Sequence, residues 1–459
     1  MSFDEALAYL LSLGHETLTI KLGLRNTETL LHALGDPHQQ FPSVQIAGTN
    51  GKGSTAVTLD SICRAAGIRT GLFTSPHLIS ITERIKINGE QISETDFANL
   101  TLQVKTTAGE LVKRGHLETL PTFFEHVTAI ALLAFREANV ELAILETGLG
   151  GRLDSTTAAG ADIVAITPIA MDHEEYLGNS LTEIAAEKAA IIRPGVKTIV
   201  APQTEEAMKV IIRQCENAGV EPRLVDFPLT WSTPIPATYT EPWHGGPGKA
   251  TPDGRSIVTF VTDHEVYEDV MLALRGRHQA GNALTALALA DALRESGFVI
   301  TRAAIAEGIR SAAHPGRLEL WEGHPRILFD GAHNPAAALA LREYLDEFVK
   351  EPIVMIFGAM RDKALDDMAA TLFPKANVLI LTQLDNPRAA SLDLLMSATL
   401  SIGEARVRQA SSAGEALRFA REFTPSNGLV CVTGSLYLVG AVQQILNESS
   451  SVARGRSKH

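Results

Sequence analysis

The segment Gly48-Thr49-Asn50-Gly51-Lys52-Gly53-Ser54-Thr55 constrains this chain more than any other. An apolar, strand-like run, Ser43-Val44-Gln45-Ile46-Ala47, precedes it, and a helical pattern from Ser54 to Ala66 follows. Glycines let a loop turn so tightly that its backbone N–H groups converge on phosphate oxygens. The helix start adds a favourable dipole and Lys52 a full positive charge. Ser54 or Thr55 can reach a magnesium ion. The order departs from the ordinary GxxxxGK[ST] loop: Gly53 intervenes between Lys52 and Ser54, and Ile46 stands where the first glycine belongs. A merely flexible turn does not account for a lysine in a strand–loop–helix setting, so the segment reads as a nucleotide-phosphate site. Alone it does not say what the nucleotide is used for.

The rest of the chain repeats the strand–helix theme. Phe3 to Leu13 reads as a short amphipathic helix. Glu141 to Leu145, Asp162 to Thr167 and Val196 to Ala201 read as strands, the last followed by a helix from Thr204 to Ala218. Short apolar strands alternating with helices specify a parallel sheet covered on both faces. The pattern changes between Val220 and Arg275, where prolines and threonines crowd Pro228 to Pro252 and Ile257 to Val261 suggests an antiparallel strand. This reads as a β-rich excursion within the first domain. An alanine-rich helix follows from about His278 to Ser296. A second series has strands at Ile327 to Phe329, Ile353 to Phe357, Val378 to Thr382 and Leu429 to Thr433. The expected domains are 1–312 and 313–459, with a polar, basic, disordered tail from about Glu448.

Composition narrows the function. The 459 residues are enough for two or three domains, and 45% are hydrophobic. Net charge is −13 and aromatics are 5%, which disfavours nucleic acid as a partner. The three cysteines, Cys63, Cys215 and Cys431, form no metal-ligand cluster, and reduced thiols in the cytoplasm are the expectation. Met1 to Leu11 is acidic and lacks a signal peptide's basic start. The apolar run Val127 to Phe135 is shorter than the ~20 residues of a membrane span.

Several polar groups share one position, the end of a strand, where open parallel sheets collect ligands. Ser75-Pro76-His77-Leu78 follows Thr70 to Phe73. Glu146 follows Glu141 to Leu145 and precedes Gly148-Leu149-Gly150-Gly151-Arg152-Leu153-Asp154. Asp172-His173 follows Asp162 to Thr167. A carboxylate such as Glu146 suits magnesium, which takes oxygen ligands and keeps waters. Asp330-Gly331-Ala332-His333-Asn334-Pro335 follows Ile327 to Phe329, and with Arg317 it offers a second domain able to close over a nucleotide. Singly each has a plain reading: Glu146 as a turn cap, His173 as a surface histidine. Lys188, in the helical stretch Ile184 to Ile192, reads from spacing alone as a solvated lysine.

Together these residues resemble the Mur ligase superfamily and, within it, the dihydrofolate synthase/folylpolyglutamate synthase family. The resemblance adds Glu83-Arg84-Ile85, Glu187-Lys188-Ala189, His278-Gln279 with Asn282, His314 to Arg317 and Gly434-Ser435-Leu436-Tyr437, and it spans almost the whole chain in the family's order. It implies an α/β fold of two domains: an N-terminal P-loop ATPase-like parallel sheet with a small β-rich subregion, and a C-terminal Rossmann-like domain. It implies that Gly48 to Thr55, with Lys52, hold the ATP phosphates, and that Asn282, Arg317, Asp330 and His333 contact the nucleotide. Ser75, Glu146 and His173 match magnesium ligands, with two ions expected. Lys188 matches a lysine carried as a carbamate; Lys52, His173 and Lys188 are the expected catalytic groups. Arg25, Phe124, Arg152, Leu153 and Asp154 fall on the pterin side. Ala190, Thr147 and Ala364 depart from the family pattern without removing a group the chemistry needs.

The implied reaction phosphorylates a carboxylate with ATP, and glutamate's amino group then attacks the acyl phosphate to form an amide. The acceptor is dihydropteroate, reduced folate or both, with both expected from the Ile169 to His173 segment. No membrane or nucleic-acid partner is expected, and the monomer is the expected state. A cell-wall ligase using a UDP-linked precursor carries a further domain before the loop, whereas only 47 residues precede Gly48 here, below the ~50 of a minimal domain. A nucleotide-driven switch would keep the ordinary Walker order. A dead folate-binding module would not need Lys52, Glu146, His173 and Lys188 together.

Overall fold

The computed structural model describes residues 1–14, 23–226, 244–245, 249–399 and 406–456. The first sheet contains β1 (Ser43–Ala47), β2 (Thr70–Phe73), β3 (Ile85–Ile87), β4 (Glu90–Gln91), β5 (Leu142–Glu146), β6 (Ile163–Ile166), β7 (Lys197–Val200) and β8 (Arg223–Leu224). Their spatial order is β4-β3-β2-β5-β1-β6-β7-β8. The strands from β2 to β8 in that order run parallel, and β3 and β4 add an antiparallel edge. Every residue of β1, β2, β5 and β6 is buried, as expected of strands covered on both faces.

The helix after the phosphate loop, Lys52–Ala65, packs on the helices His278–Glu295 and Arg302–Ser311. Gly308 permits this approach: a Cβ there would lie 2.3 Å from the Ile62 Cα. The helix starts two residues earlier than the sequence suggests, because Gly51 caps it in a left-handed conformation.

The β-rich excursion forms a separate antiparallel sheet of β9 (His244–Gly245), β10 (Lys249–Ala250), β11 (Ser256–Val261) and β12 (Val266–Met271). Burial alternates along β11, so one face packs inward. Most of the stretch from Pro228 to Pro252 lies outside the described residues.

The third sheet comprises β13 (Glu319–Trp321), β14 (Arg326–Phe329), β15 (Ile353–Phe357), β16 (Val378–Thr382), β17 (Val407–Ala410) and β18 (Leu429–Thr433), in the order β13-β14-β18-β15-β16-β17. All but the β13–β14 pair are parallel. Separate apolar clusters cover its two faces. The α/β architecture with two sheet-centred halves matches expectation.

The expected disordered tail is a correction. The last helix runs from Leu436 to Arg456. Its first half buries Leu438, Val439, Val442 and Leu446. Once such a nucleus is packed, each further residue adds a hydrogen bond at small cost, so the polar end stays helical. Residues 457–459 lie outside the described residues. Among the described residues no helix is long and apolar enough to cross a membrane.

Candidate active site

Four adjacent parallel strands, β2-β5-β1-β6, deliver their carboxyl ends to one place. They bring Ser75, Glu146, the Gly48 loop and the Asp172-His173 pair to a cleft of about 630 Å³. From the other side come the segments after β14, β15 and β18: Asp330 and His333, Lys363, and Ser435 to Tyr437. The volume lies within the ~300–1,000 Å³ typical of small-molecule pockets.

The phosphate loop is held from below. Lys52 Nζ donates to the carbonyls of Gly48 and Thr49 at 3.1 and 3.2 Å. Thr49 Oγ1 donates to the Ala170 carbonyl at 3.0 Å. The intervening Gly53 has a steric cause: a Cβ there would lie 2.7 Å from His314 Cε1 and 3.3 Å from Glu146 Oε1. Ser54 Oγ is 3.2 Å from His314 Nδ1. Thr55 is fully buried and does not line the cleft.

Lys188 is where sequence reasoning fails. It is buried, and its Nζ donates to the Gly48 carbonyl at 2.9 Å, so the solvated reading is overturned. Burial and the nearby Lys52 charge lower its pKa to about 7, against the attraction of Asp172 and Asp154. Burial likewise lowers Lys52 and raises Glu146; each charge opposes the other's shift.

Glu146 accepts a hydrogen bond from the Ser75 amide at 3.1 Å, tying two expected metal ligands together. His173 is no surface histidine. Its backbone is left-handed at φ 54°, and burial lowers its pKa to about 3, which keeps the imidazole neutral. Its buried Nδ1 has no hydrogen-bond partner. Left-handed backbone is uncommon outside glycine, and a buried unpaired ring nitrogen needs an explanation. A divalent cation held by that nitrogen would supply the missing partner. Among the described residues no group of three or more His, Cys, Asp or Glu could hold a metal alone. The residues therefore suit magnesium, which completes its shell with waters and substrate phosphate.

The other expected residues divide. Asn282 donates to Gln279 Oε1 at 2.9 Å and faces the cleft. Arg317 Nη1 lies 3.4 Å from the Gly331 carbonyl. Asp330 accepts from the Leu318 and Ala332 amides, both at 3.0 Å, which fixes its turn. His333 Nδ1 is 2.8 Å from the Gly331 carbonyl. Phe124, Arg152, Leu153 and Asp154 line one end of the cleft. Asp154 caps the turn that follows, accepting from the Leu149 and Thr156 amides at 2.8 and 3.0 Å, so its carboxylate shapes the wall. Arg152 pairs with Glu187 at 2.8 Å. Arg25 is exposed outside the cleft lining, where Gly23 represents its segment.

Lys363 was not singled out by sequence, and Asp172 and Asn334, quoted there within strand-end motifs, were given no role of their own. Asp172 accepts from Lys363 Nζ at 2.5 Å and from Asn334 Nδ2 at 3.1 Å. Asn334 Nδ2 also reaches Asn50 Oδ1 at 3.0 Å. The available signal was again the end of a strand: Asn334 follows β14, and Lys363 follows β15.

Comparison with known proteins places the chain in a family. Residues 46–290 match the Mur ligase middle domain, and residues 316–436 match the Mur ligase glutamate ligase domain. The dihydrofolate synthase/folylpolyglutamate synthase of Bacillus subtilis is 34% identical, over 94% of this chain and 97% of that protein. A probable bifunctional folylpolyglutamate synthase/dihydropteroate synthase of Halobacterium salinarum is 37% identical over 96% of this chain. The chain spans about half the length of that relative (51%) and of its Haloferax volcanii counterpart (50%). The folylpolyglutamate synthase of Mycobacterium tuberculosis, solved with ADP and AMPPCP, superposes with a TM-score of 0.85 at 31% identity, covering 96% of this chain and 98% of that one. Escherichia coli FolC, solved with DHPP and ADP, gives 0.84 at 30% identity, covering 98% and 99%. The chain belongs to the dihydrofolate synthase/folylpolyglutamate synthase family of Mur ligases.

Proposed function

We propose that this protein uses ATP to join L-glutamate to dihydropteroate and to extend reduced folates with further glutamates. The observation that carries the reading is the single cleft in which the phosphate loop, Glu146 and His173 face Arg317, His333 and Ser435 across to the Phe124 wall. Relatives' structures with ADP, DHPP or L-glutamate bound support it.

A carboxylate and a triphosphate repel each other, so positive charge must lie between them. Lys52 and Arg317 supply it here. The substrate carboxylate oxygen attacks the γ-phosphorus, ADP leaves with the bond pair, and an acyl phosphate forms. Glutamate's neutral amine then adds to the carbonyl carbon. The tetrahedral intermediate collapses to the amide, expelling phosphate with the C–O bond pair and losing the amine proton. Positioning between two closing halves excludes water from the acyl phosphate. Ser75, Glu146 and His173 would hold a magnesium ion, which when bound neutralises charge on the transferring phosphate. The buried Lys188 amine, its pKa lowered to about 7, suits carbamylation by CO₂, which would give an oxygen donor for a second ion. Arg152 and Leu153 belong on the pterin side, Arg25 lies near it outside the cleft lining, and the domain division falls at residue 312. A cytoplasmic monomer completes the reading.

The test is purified protein with magnesium, ATP and glutamate, offered dihydropteroate and a reduced folate separately, with products weighed by mass spectrometry. Both acceptors should gain glutamate. Phosphate release that ignores both would sink the ligase reading; one product alone would remove bifunctionality.

A further inference from the structure

The wall assigned to the pterin includes Thr122, Phe124 and Glu125, the cap and first turn of the helix Phe123–Glu137. Within that turn the Thr122 amide donates to Glu125 Oε2 at 2.6 Å. Two further ties reach it from earlier in the chain. Thr27 Oγ1, on the helix Arg25–Ala33, donates to Glu125 Oε1 at 3.3 Å, and both side chains are buried. The next residue, His126, is fully buried, and the Tyr9 hydroxyl of the helix Phe3–Ser12 lies 3.0 Å from its Nε2.

Chemistry fixes the roles in this second tie. Burial lowers the His126 pKa to about 4, so the imidazole is neutral and carries one N–H. Its Nδ1 lies 3.0 Å from the Thr122 carbonyl, which can only accept, so the proton sits there. Nε2 is then the acceptor, and Tyr9 donates to it. The Tyr9 ring is held as well: it meets the His126 ring edge-on at 5.6 Å, and Lys105 Nζ lies 4.4 Å from its centroid. One imidazole therefore joins the cap of the wall's helix to the first helix of the chain. An apolar pair could fill the same space, but only a hydrogen bond also sets distance and direction.

Neither Tyr9 nor His126 lines the cleft, so any part they play is played through the turn that does. Both N-terminal helices also precede residue 46, where the match to the Mur ligase middle domain begins. We propose that Tyr9 and His126 are positioning residues for the acceptor: they hold the turn that presents Phe124 and so set the affinity for the pterin, leaving the nucleotide site alone. The inference rests on the ligase reading above and deepens it by naming what orients the acceptor wall.

The experiment places 4-fluorophenylalanine at position 124 of the full chain and reads its ¹⁹F resonance in the otherwise unchanged protein and in four variants. Tyr9→Phe keeps the ring contacts and removes only the hydroxyl. His126→Asn keeps a donor to Thr122 but does not reach Tyr9, whereas His126→Gln carries an amide oxygen to the Nε2 position. Thr301→Ala removes the cap of the helix Arg302–Ser311, outside the cleft, and shows what lost stability does by itself. The same four variants without the label are assayed for KM. Tyr9→Phe and His126→Asn should shift or broaden the resonance and raise the acceptor's KM roughly 3- to 10-fold, the range of one neutral hydrogen bond. The KM for ATP should stay near wild type. His126→Gln should fall closer to wild type than His126→Asn, and Thr301→Ala should match wild type. An unmoved resonance in Tyr9→Phe overturns the proposal, as do equal rises in KM for acceptor and ATP, or the same changes in Thr301→Ala. The resonance is read without turnover, so a wild type that glutamylates neither acceptor sinks the ligase reading while the resonance still decides the tether.

Discussion

Lys363 Nζ sits 2.5 Å from Asp172 Oδ1, joining the end of β15 in the third sheet to the segment after β6 in the first. Both side chains are almost wholly buried, at 7% and 6% exposure. Burial alone would raise the Asp172 pKa. The His333 hydrogen bond and the Lys363 charge hold it well below the usual carboxylate range. The aspartate stays ionised and clamps the two halves beside His173.

Removing one partner of such a pair leaves a buried charge alone, typically at a cost of about 3–5 kcal/mol. Lys363→Met should lose stability on that scale in denaturant melts and lower kcat. Asp172→Asn/Lys363→Met should lose less than the two single changes summed. Strict additivity in that cycle would remove the clamp.

Lys188 gives a pH signature. Its folded pKa, about 7, lies below the ordinary 10.5, so between these values the unfolded chain holds the extra proton. Stability then rises with pH across that window and is lowest below about 7. Relative to Lys188→Met, wild type freed of CO₂ should gain stability from pH 7 toward 10, measured by denaturation midpoints. A flat difference would show an unperturbed amine. The corresponding activity test is Lys188→Ala, whose loss of turnover should be partly restored by a short added carboxylate.

The contrast between Lys188 and the loop shows what a sequence can carry. The strand Ser43–Ala47, its glycines and Lys52 are local, and each strand end announces itself by an apolar run that stops at a polar residue. Lys188 meets Gly48 across 140 positions, and Asp172 meets Lys363 across 191. Helical spacing near Lys188 says nothing about which distant carbonyl its turn will face. The meaning of Gly53 also appears only in three dimensions, where the His314 ring lies against it from 261 residues away. The polar end of the last helix misleads for the opposite reason: its composition is read locally, while its order comes from the packed turns before it.

His173 tests the metal reading. Asparagine tolerates the left-handed backbone that His173 adopts, so His173→Asn should fold. It removes the unpaired Nδ1 and the neutral ring. Changes to groups merely supporting a metal's ligands cost about 10- to 100-fold in affinity, so loss of a ligand should cost at least that. Mn²⁺ binding in the presence of AMPPNP, followed by EPR, gives the number. Unchanged Mn²⁺ affinity would take His173 out of the metal site.

Gly148 separates the two ends of the cleft. Its φ is not in the left-handed region, so its backbone accepts alanine. The added Cβ would lie 2.4 Å from the Phe124 ring, which also packs at 5.8 Å against Phe73. The phenyl group must move into the space assigned to the pterin. Overpacking of this kind costs about 1–3 kcal/mol, so Gly148→Ala should raise the acceptor's KM by roughly tenfold. The phosphate loop is reached through β1 and Lys52, which the shifted ring does not touch, so the KM for ATP should stay near wild type. Equal rises in both constants would mean that Phe124 serves the whole cleft, and no change in either would place the acceptor elsewhere.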